Sequence, residues 1–248
     1  MKPAPRLYLD TSLGEGAEQE LAPAQGHYLR DVLRLRPGDP VQVFNERDGE
    51  YLAFLTEAGK KRVVLRCERK RADAAPPPDI DFLFAPLKHA RLDYIVQKAT
   101  ELGARRLLPI ITARTVTSRV NIERMRANAV EAAEQCNLVF VPEVLEPQKL
   151  EAVLASWPGD RALVFCDEAA EGENPLEALA RLKTPAALLI GPEGGFTAEE
   201  RDHLKRLPFV TAISLGPRIM RADTAGTAAL ALLQTAIGDW GKPIHHNL

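Results

Sequence analysis

Hydrophobic and polar positions divide the chain into an N-terminal part with short apolar runs and a C-terminal part with longer alternating patterns. The short runs are separated by turn clusters, a spacing that is typical of a small β-barrel. Apolar residues at helical spacing also predict one helix, which ends before Pro37. The predicted strands cover 6–9, 40–45, 51–56 and 62–67, and the predicted helix covers 27–35.

In the C-terminal part strands and helices alternate, which indicates an α/β domain with a mainly parallel sheet covered on both faces. The predicted strands cover 80–85, 106–111, 161–166, 187–190 and 210–215. The predicted helices cover 87–102, 121–135, 148–156, 175–183, 198–206 and 224–240. The proline-rich stretch 73–79 suits neither a strand ladder nor a helix interior. We therefore expect two domains, 1–72 and 80–248, with 73–79 as the linker.

Two of these strands end in bends that are rich in glycine and proline. The first bend, GPEGGF at 191–196, precedes Thr197 and Glu200, which have the spacing of a capping box that starts a helix. The second bend, GPRIMR at 216–221, follows the strand at 210–215. Ligands of open α/β sheets bind outside the carboxyl ends of the strands. We therefore expect the two strands to be neighbours and their bends to frame one crevice lined by backbone amides.

Several common chemistries have no motif in this sequence. Neither bend has the Lys-Ser/Thr of a phosphate loop or the G-x-G-x-x-G spacing of a dinucleotide site. No serine-hydrolase or zinc-protease motif is found. The three cysteines, Cys67, Cys136 and Cys166, are too far apart in sequence to indicate a disulfide framework or a zinc site. We expect no metal.

Composition and charge add two expectations. With 46% hydrophobic and 27% charged residues and no apolar run of membrane-spanning length, the chain is typical of a soluble globular protein, and we expect a cytoplasmic location without a membrane partner. Residues 1–72 carry 13 Lys and Arg against 11 Asp and Glu, although the whole chain has a net charge of −2. The cations cluster at 60–62 and 66–71. They form either a phosphate-contacting surface or a solvated hairpin tip and linker.

The sequences IGPEGGF at 190–196 and SLGPRIMR at 214–221 together resemble the paired signature of the ribosomal small subunit methyltransferase E family, in the SPOUT superfamily. The resemblance implies an N-terminal PUA-like, RNA-binding β-barrel and a SPOUT-type α/β domain with a C-terminal deep trefoil knot. It also implies a homodimer with the last helix in the interface. The implied activity is transfer of a methyl group from S-adenosylmethionine to N3 of a uridine in 16S rRNA of the small ribosomal subunit.

The resemblance and the residue chemistry give three sets of candidate site residues. The backbone and apolar groups expected to hold the cofactor belong to Ile190, Gly191, Glu193, Gly194, Gly195, Leu215, Gly216, Ile219, Met220 and Thr224. The catalytic candidates are Arg114, Glu193 and Arg221. The RNA-binding candidates are His27, Arg30, Arg34, Lys88, Lys98 and Arg218.

For several candidates a structural role is also open. His27 and Arg34 are equally suited to cap and solvate their helix, and Lys98 has the spacing to pair with Glu101. Lys88 is expected to open a helix, where the dipole disfavours a cation, so a phosphate partner is the better interpretation there.

Two places depart from the family pattern. Asn137 and Leu138 stand where glycine and arginine are usual, and Ala222-Asp223 replaces Thr-Glu. Two alternatives therefore stay open: a non-catalytic RNA-binding or ribosome assembly factor on the same fold, and a SPOUT methyltransferase that acts on another RNA.

Overall fold

The computed structural model describes residues 4–88, 90–117, 119–169 and 174–241, and within it the chain forms two compact units. Among the described residues, the first unit comprises 4–76 together with Ala133–Val141, and the second comprises Pro77–Ala132 and 142–241. None of the helices in the described ranges is long and apolar enough to span a membrane.

The first unit is built on a sheet that has the strand order β1-β3-β4-β5-β2 in the described residues. Its strands are β1 Arg6–Tyr8, β2 Glu18–Glu20, β3 Pro40–Asn45, β4 Gly49–Ala58 and β5 Val63–Ala72. β1 pairs with β3 in parallel and the other pairs are antiparallel. The sequence predicted four of these strands and missed β2, because its Glu-Gln-Glu sequence has no apolar position. The ladder is an open path from β1 to β2 over residues 4–72, so hydrogen bonds between strands do not close the expected barrel there.

The helix of the first unit differs from the one predicted at 27–35. It begins as α1 at Pro23–His27, continues as one π-helical turn at Tyr28–Val32, and then ends. Proline at the first helical position is compatible with this early start, since its missing N–H has no intrahelical partner. Arg34 ends the turn in the left-handed region, with φ of 59°.

A buried arginine ties residues 133–141 to the sheet of the first unit. The Arg6 guanidinium makes two hydrogen bonds to Glu50, of 2.7 and 3.0 Å, and donates to the carbonyls of Ala133 and Leu138 at 2.8 and 2.9 Å. Between those carbonyls Asn137 has φ of 56°, a conformation that glycine and asparagine tolerate best. The departure from the family glycine is therefore compatible with the backbone here.

The second unit has a parallel sheet with the order β12-β10-β11-β6-β7-β8 in its described part, and β9 pairs with β7. Its strands are β6 Ile80–Phe84, β7 Arg106–Ile111, β8 Glu143–Val144, β9 Gln148–Lys149, β10 Ala162–Cys166, β11 Ala186–Ile190 and β12 Val210–Ile213. The helices in order along the chain are α2 Ala90–Glu101, α3 Ile122–Gln135, α4 Leu150–Ala155, α5 Pro175–Leu179, α6 Ala198–Arg206 and α7 Ala222–Ala236. The expected α/β fold with a parallel sheet is confirmed.

Three details of the predicted pattern are wrong. α2 begins at Ala90 rather than at residue 87, so Lys88 precedes the helix instead of opening it. The helix predicted at 148–156 begins only at Leu150, because Gln148–Lys149 pair with β7 as β9. The strands before the two glycine bends, β11 and β12, are not neighbours, since β10 lies between them.

An ion-pair network lies at the start of β6 and β10, and it makes stability dependent on pH. Burial alone would raise the pKa of Asp79, but the hydrogen bond from Arg161 and the positive charges of Arg161, Arg105 and Arg106 lower it overall. Since the pKa is lower in the folded state, Asp79 stabilises the fold above its unfolded-state pKa of about 3.9, and this contribution is lost as the pH falls through the folded-state value.

We therefore expect the free energy of unfolding to decrease as the pH falls from about 5 toward 2, the window in which carboxylate stabilisation is lost. Asp79→Asn should be less stable than the wild type at pH 7 and should show a smaller decrease on acidification. Urea unfolding at a series of pH values measures both quantities. An unchanged pH dependence in the variant would contradict the role given to Asp79.

Candidate active site

A cavity open to solvent lies where β10 ends and the second glycine bend passes over it. It is lined by the last residue of β10, the two carboxylates after it, most of the second bend and the first turn of α7. Its lining residues are Cys166, Asp167, Glu168, Leu215, Gly216, Pro217, Arg218, Ile219, Met220 and Ala225. The predicted residues Leu215, Gly216, Arg218, Ile219 and Met220 therefore lie together, with apolar side chains beside a backbone bend in which Gly216 has φ of 97°.

The first glycine bend is fixed at both ends by its own side chains. At its start, a Cβ at Gly191 would lie 2.6 Å from the Phe196 ring, which is buried and packs edge-on against Phe165. At its end, Thr197 and Glu200 form the predicted capping box: the Thr197 N–H donates to Glu200 at 2.9 Å and the Glu200 N–H donates to the Thr197 hydroxyl at 3.1 Å. The predicted strand, bend and helix start at this place are confirmed.

The loop after β7 holds this bend from the side. The Arg114 Nη1 donates to the Gly194 carbonyl at 2.8 Å, and the Ala113 N–H donates to the second carboxylate oxygen of Glu200 at 2.8 Å. Arg114, predicted as a catalytic candidate, is thus engaged with the bend that was predicted to bind the cofactor. The hydrogen bond from Arg114 to the Gly194 carbonyl supports a role for this arginine in positioning the first glycine bend.

Glu168 connects the first bend to the cavity. Gly195 has φ of 67°, and a Cβ at this position would lie 2.9 Å from the Oε1 of Glu168. Glu168 itself lines the cavity together with the second bend. The strand β10 thus carries a carboxylate between the two bends, although the first bend does not line the cavity directly.

A buried carboxylate beside Glu168 is held by two cations of α6. The Asp167 side chain is fully buried, and its oxygens lie 3.2 Å from the Arg201 Nε and 2.7 Å from the Lys205 Nζ. Arg201 also contacts Glu168, with 3.2 Å between its Nη2 and Oε1. The helix that follows the first bend is therefore bound to the end of β10 by a cluster of two cations and two carboxylates.

The remaining cofactor and catalytic candidates are not among the residues that line this cavity. Glu193 is 3.5 Å from Arg91 of α2, and Arg91 is also 4.0 Å from Asp223. Arg221 is exposed at the residue before α7, where its carbonyl accepts the Ala225 N–H at 2.8 Å. Thr224 is exposed in the first turn of α7. Ile190 is buried at the end of β11, 4% exposed, and its carbonyl accepts the Ala85 N–H at 3.0 Å.

Two of the predicted RNA-binding residues of the first unit, His27 and Arg30, lie together, whereas Arg34 lies apart from them. His27 and Arg30 both contact the Asp31 carboxylate, at 2.6 and 2.5 Å, and Arg30 also donates to the Gly59 carbonyl at 2.7 Å. The hydrogen bond from Arg30 is the main reason that the pKa of Asp31 is lowered to about 2. Arg34 is exposed two residues beyond the π-helical turn.

In the second unit Lys98 lies 2.7 Å from both oxygens of Glu101, so the predicted pair of these two residues is confirmed. Lys88 is exposed.

Cys166, Asp167 and Glu168 were not predicted as site residues. The available signal was a strand prediction that ended at Cys166 and was followed at once by two carboxylates. Only the sheet order, which puts β10 between β11 and β12, reveals that this strand end lies between the two bends. Within the described ranges no three His, Cys, Asp or Glu side chains are grouped to hold a metal.

Comparison with known proteins matches two family models to the chain. Residues 75–234 match the model of an RNA methyltransferase domain, and residues 21–67 match that of an RNA methyltransferase PUA domain. The ribosomal RNA small subunit methyltransferase E of Rickettsia conorii is 30% identical over 229 residues, which cover 91% of this chain and 93% of the relative.

Two solved structures share the fold over nearly the whole chain. The ribosomal RNA small subunit methyltransferase E of Neisseria gonorrhoeae, crystallised with S-adenosyl methionine, superposes with a TM-score of 0.86 at 26% identity and covers 96% of this chain and 100% of its own. A Legionella pneumophila protein, solved in complex with the same cofactor, has a TM-score of 0.83 at 28% identity and covers 96% of this chain and 99% of its own.

A parallel α/β unit with this strand-end cavity, joined to a PUA unit, thus defines an RNA methyltransferase. The match to the Rickettsia enzyme is more specific, and the chain belongs to the ribosomal RNA small subunit methyltransferase E family. The resemblance noted at the two glycine bends is confirmed.

Proposed function

We propose that this protein transfers the methyl group of S-adenosylmethionine to N3 of a uridine in 16S rRNA of the small ribosomal subunit. The observation that carries the proposal is the cavity at the end of β10, which has the second glycine bend over it and the first beside Glu168. Relatives of the same fold have been crystallised with this cofactor. The chain acts in the cytoplasm, where it would meet the ribosomal subunit.

The lining of the cavity fits a sulfonium cofactor of this kind. Leu215, Ile219 and Met220 offer apolar surface, and the backbone near Gly216 offers amide and carbonyl groups. Gly191, Gly194 and Gly195 extend the cradle on the other side of Glu168. When bound, S-adenosylmethionine supplies an electrophilic methyl group on a positively charged sulfur.

The protein's part in the reaction is to hold the uridine and to stabilise its anion. N3 lies on the pairing edge of the base, so the uridine must be unpaired to reach the site. Its N3 proton has to pass to a base or to solvent water, and the negative charge that develops spreads onto the two flanking carbonyl oxygens. Cations next to the cavity lower the energy of that anion. Arg218, which lines the cavity, and Arg221, which is exposed beside it, are suited to this task.

Glu193 and Arg114 have a supporting role in this proposal. Glu193 is paired with Arg91, and Arg114 donates to the Gly194 carbonyl. Both contacts orient the first glycine bend, so that its backbone faces the cofactor. Thr224 lies at the start of α7 and completes the edge of the site.

The first unit, corresponding to the domain predicted at 1–72, supplies RNA contacts in this proposal. One stretch of its surface carries the cations Arg30 and Arg34, which are half-exposed and exposed, respectively. The same stretch carries His27, which is exposed and becomes a cation when it is protonated. Lys88 and Lys98 contribute phosphate contacts from the second unit. Phosphate contacts of this kind position an RNA without reading its sequence.

The proposal includes a deep trefoil knot in domain 80–248, after the linker at 73–79, and a homodimer that is formed through the last helix. The strand order, in which β11 lies between β10 and β6, supports the knot. Half-buried residues on α7, such as Ala228 and Leu232, support the interface, because they leave apolar surface on a helix whose opposite face is buried.

We expect the purified protein to bind S-adenosylmethionine in a calorimetric titration, and disruption of its gene to remove 3-methyluridine from small-subunit rRNA. Mass spectrometry of the nucleosides measures the loss, and a plasmid-borne copy should restore the modification. Undiminished 3-methyluridine in the disrupted strain would refute the target. Absence of cofactor binding would favour an assembly factor without catalytic activity.

A further inference from the structure

We propose that Glu168 binds the ribose hydroxyls of the methyl donor and that Arg201 positions its carboxylate for this contact. The inference rests on the proposed function, since it concerns the donor cavity. It adds a residue that neither glycine bend contains. The geometry of three groups carries it: the Glu168 carboxylate, the backbone at Gly195 and the Arg201 guanidinium.

Glu168 is well placed to contact a ligand. It follows β10 by two residues, lines the cavity and keeps 56% of its side chain exposed. Its Oε1 lies 3.2 Å from the Arg201 Nη2, and this hydrogen bond leaves the acceptor sites of Oε2 available to a ligand. A carboxylate accepts hydrogen bonds only, so the ligand group that it binds must be a donor.

The backbone of the first bend lies close to the Glu168 carboxylate. Gly195 presents no side chain toward the carboxylate, and a Cβ there would lie 2.9 Å from Oε1. The second bend faces the same carboxylate across the cavity. A ligand in this cavity therefore meets the exposed carboxylate of Glu168 and the backbone of the second bend.

Among the hydrogen-bond donors of a nucleoside cofactor, the vicinal ribose hydroxyls suit this carboxylate best. In the dinucleotide-binding α/β folds, an acidic side chain at the ligand crevice accepts a hydrogen bond from a ribose hydroxyl, so this pairing of groups has a precedent. The ribose hydroxyls are neutral and are present in both S-adenosylmethionine and its demethylated product. The hydrogen bond to Glu168 therefore forms equally well with both molecules.

Arg201 is the positioning residue. Its guanidinium contacts both Asp167 and Glu168 at 3.2 Å, and Asp167 is fixed in turn by Lys205 at 2.7 Å. Because the Asp167 side chain is fully buried, the guanidinium has a fixed anchor. The Glu168 carboxylate is thereby held at one place before a ligand binds, which lowers the entropy lost on binding.

The test compares ligands with and without the hydroxyls. Dissociation constants are measured for S-adenosylmethionine, for S-adenosylhomocysteine and for the analogue of S-adenosylhomocysteine that lacks both ribose hydroxyls, with the wild type, Glu168→Ala and the control Asp202→Ala. Asp202 is an exposed carboxylate on α6, so its removal makes the same change of charge away from the cavity. Loss of a hydrogen bond to a charged group should weaken S-adenosylhomocysteine binding by about 10- to 100-fold in Glu168→Ala. The analogue should bind both proteins with similar affinity, and Asp202→Ala should match the wild type.

A second comparison tests the role of Arg201. Arg201→Met should weaken binding of S-adenosylhomocysteine, but it should have little further effect in the Glu168→Ala background. A purely structural role would instead reduce binding in both backgrounds. Melting temperatures of all variants separate a folding defect from a local one.

Three results would overturn the inference: no loss of affinity in Glu168→Ala, an equal loss for the hydroxyl-free analogue, or a loss confined to S-adenosylmethionine. The last result would mean that the carboxylate complements the sulfonium charge. If the wild type bound neither S-adenosylmethionine nor S-adenosylhomocysteine, the proposed function itself would fail, and this outcome is distinct from the other three.

Discussion

Gly195→Val is expected to abolish measurable binding of S-adenosylmethionine while leaving the protein folded. Gly195 has φ of 67°, and a β-branched residue is strongly disfavoured in this left-handed region. The added Cβ would also lie 2.9 Å from the Glu168 Oε1. The backbone of the bend must therefore rotate to relieve the strain, and the amide groups that we propose to hold the cofactor rotate with it.

The expected change in affinity is large because two effects combine. Backbone strain of roughly 1–2 kcal/mol favours a rearranged bend, and the displaced carboxylate closes part of the cavity. We expect these two effects together to raise the dissociation constant by roughly 100-fold or more, since each 1.4 kcal/mol or so of binding free energy changes the dissociation constant by a factor of ten. Calorimetric titration measures the affinity, and the thermal unfolding midpoint should fall by only a few degrees.

Gly159→Val is the matched control. Gly159 lies in another loop of the same unit, and nothing lies within 4 Å of a Cβ placed there. The control should bind the cofactor as the wild type does. If Gly195→Val kept its affinity, the first glycine bend would have no part in the cofactor site.

The sequence predicts the chemistry of this site better than its geometry. The capping box at Thr197 and Glu200, the bends and most strand ranges follow from local rules, because turns and caps depend on residues that are close in the chain. The position of β10 between the two bends does not follow, since strand order depends on how distant segments pack. Glu168 escaped prediction for that reason.

The difference between local and long-range contacts also explains which polar residues of the first unit could be predicted from the sequence. Arg6 reads from the sequence as an ordinary charged residue near the N-terminus. In the structure it is buried, contacts Glu50 and lies with its guanidinium carbon 4.3 Å from the centre of the Phe44 ring. The residues that Arg6 contacts are distant from it in sequence. The hydrophobic periodicity of the sequence therefore cannot predict that Arg6 is buried. Asn137, in contrast, departs from the family glycine but has one of the few side chains that tolerate the left-handed conformation found there.

Arg161→Met should be the most destabilising single substitution in the second unit among those considered, because it removes a buried guanidinium that two carboxylates share. Asp81 would keep its contact with Arg106, and Asp79 would keep Arg105 at 3.5 Å. The guanidinium donates to both Asp79 oxygens at 3.0 and 3.1 Å and to the Ala186 carbonyl at 3.1 Å, and it lies 3.0 Å from Asp81. The Asp81 side chain is only 7% exposed. Removing one partner of a buried ion pair costs about 3–5 kcal/mol when the remaining charge is left uncompensated. Because Arg106 still pairs with Asp81 and the Asp79 side chain is 32% exposed, we expect a cost at or below the lower end of this range.

Arg124→Met provides the comparison for Arg161→Met. Arg124 also makes a two-bond contact with a carboxylate, that of Asp93, but its side chain is 63% exposed. Removal of an exposed pair should cost about 0–1 kcal/mol. Arg161→Lys should fall between the two, because lysine keeps the charge and loses the planar fork that reaches both oxygens of Asp79. Urea unfolding at pH 7 ranks the three variants. Equal stability of Arg161→Met and Arg124→Met would show that the network at the start of β6 and β10 does not stabilise the sheet, and with it the strand end that carries Glu168.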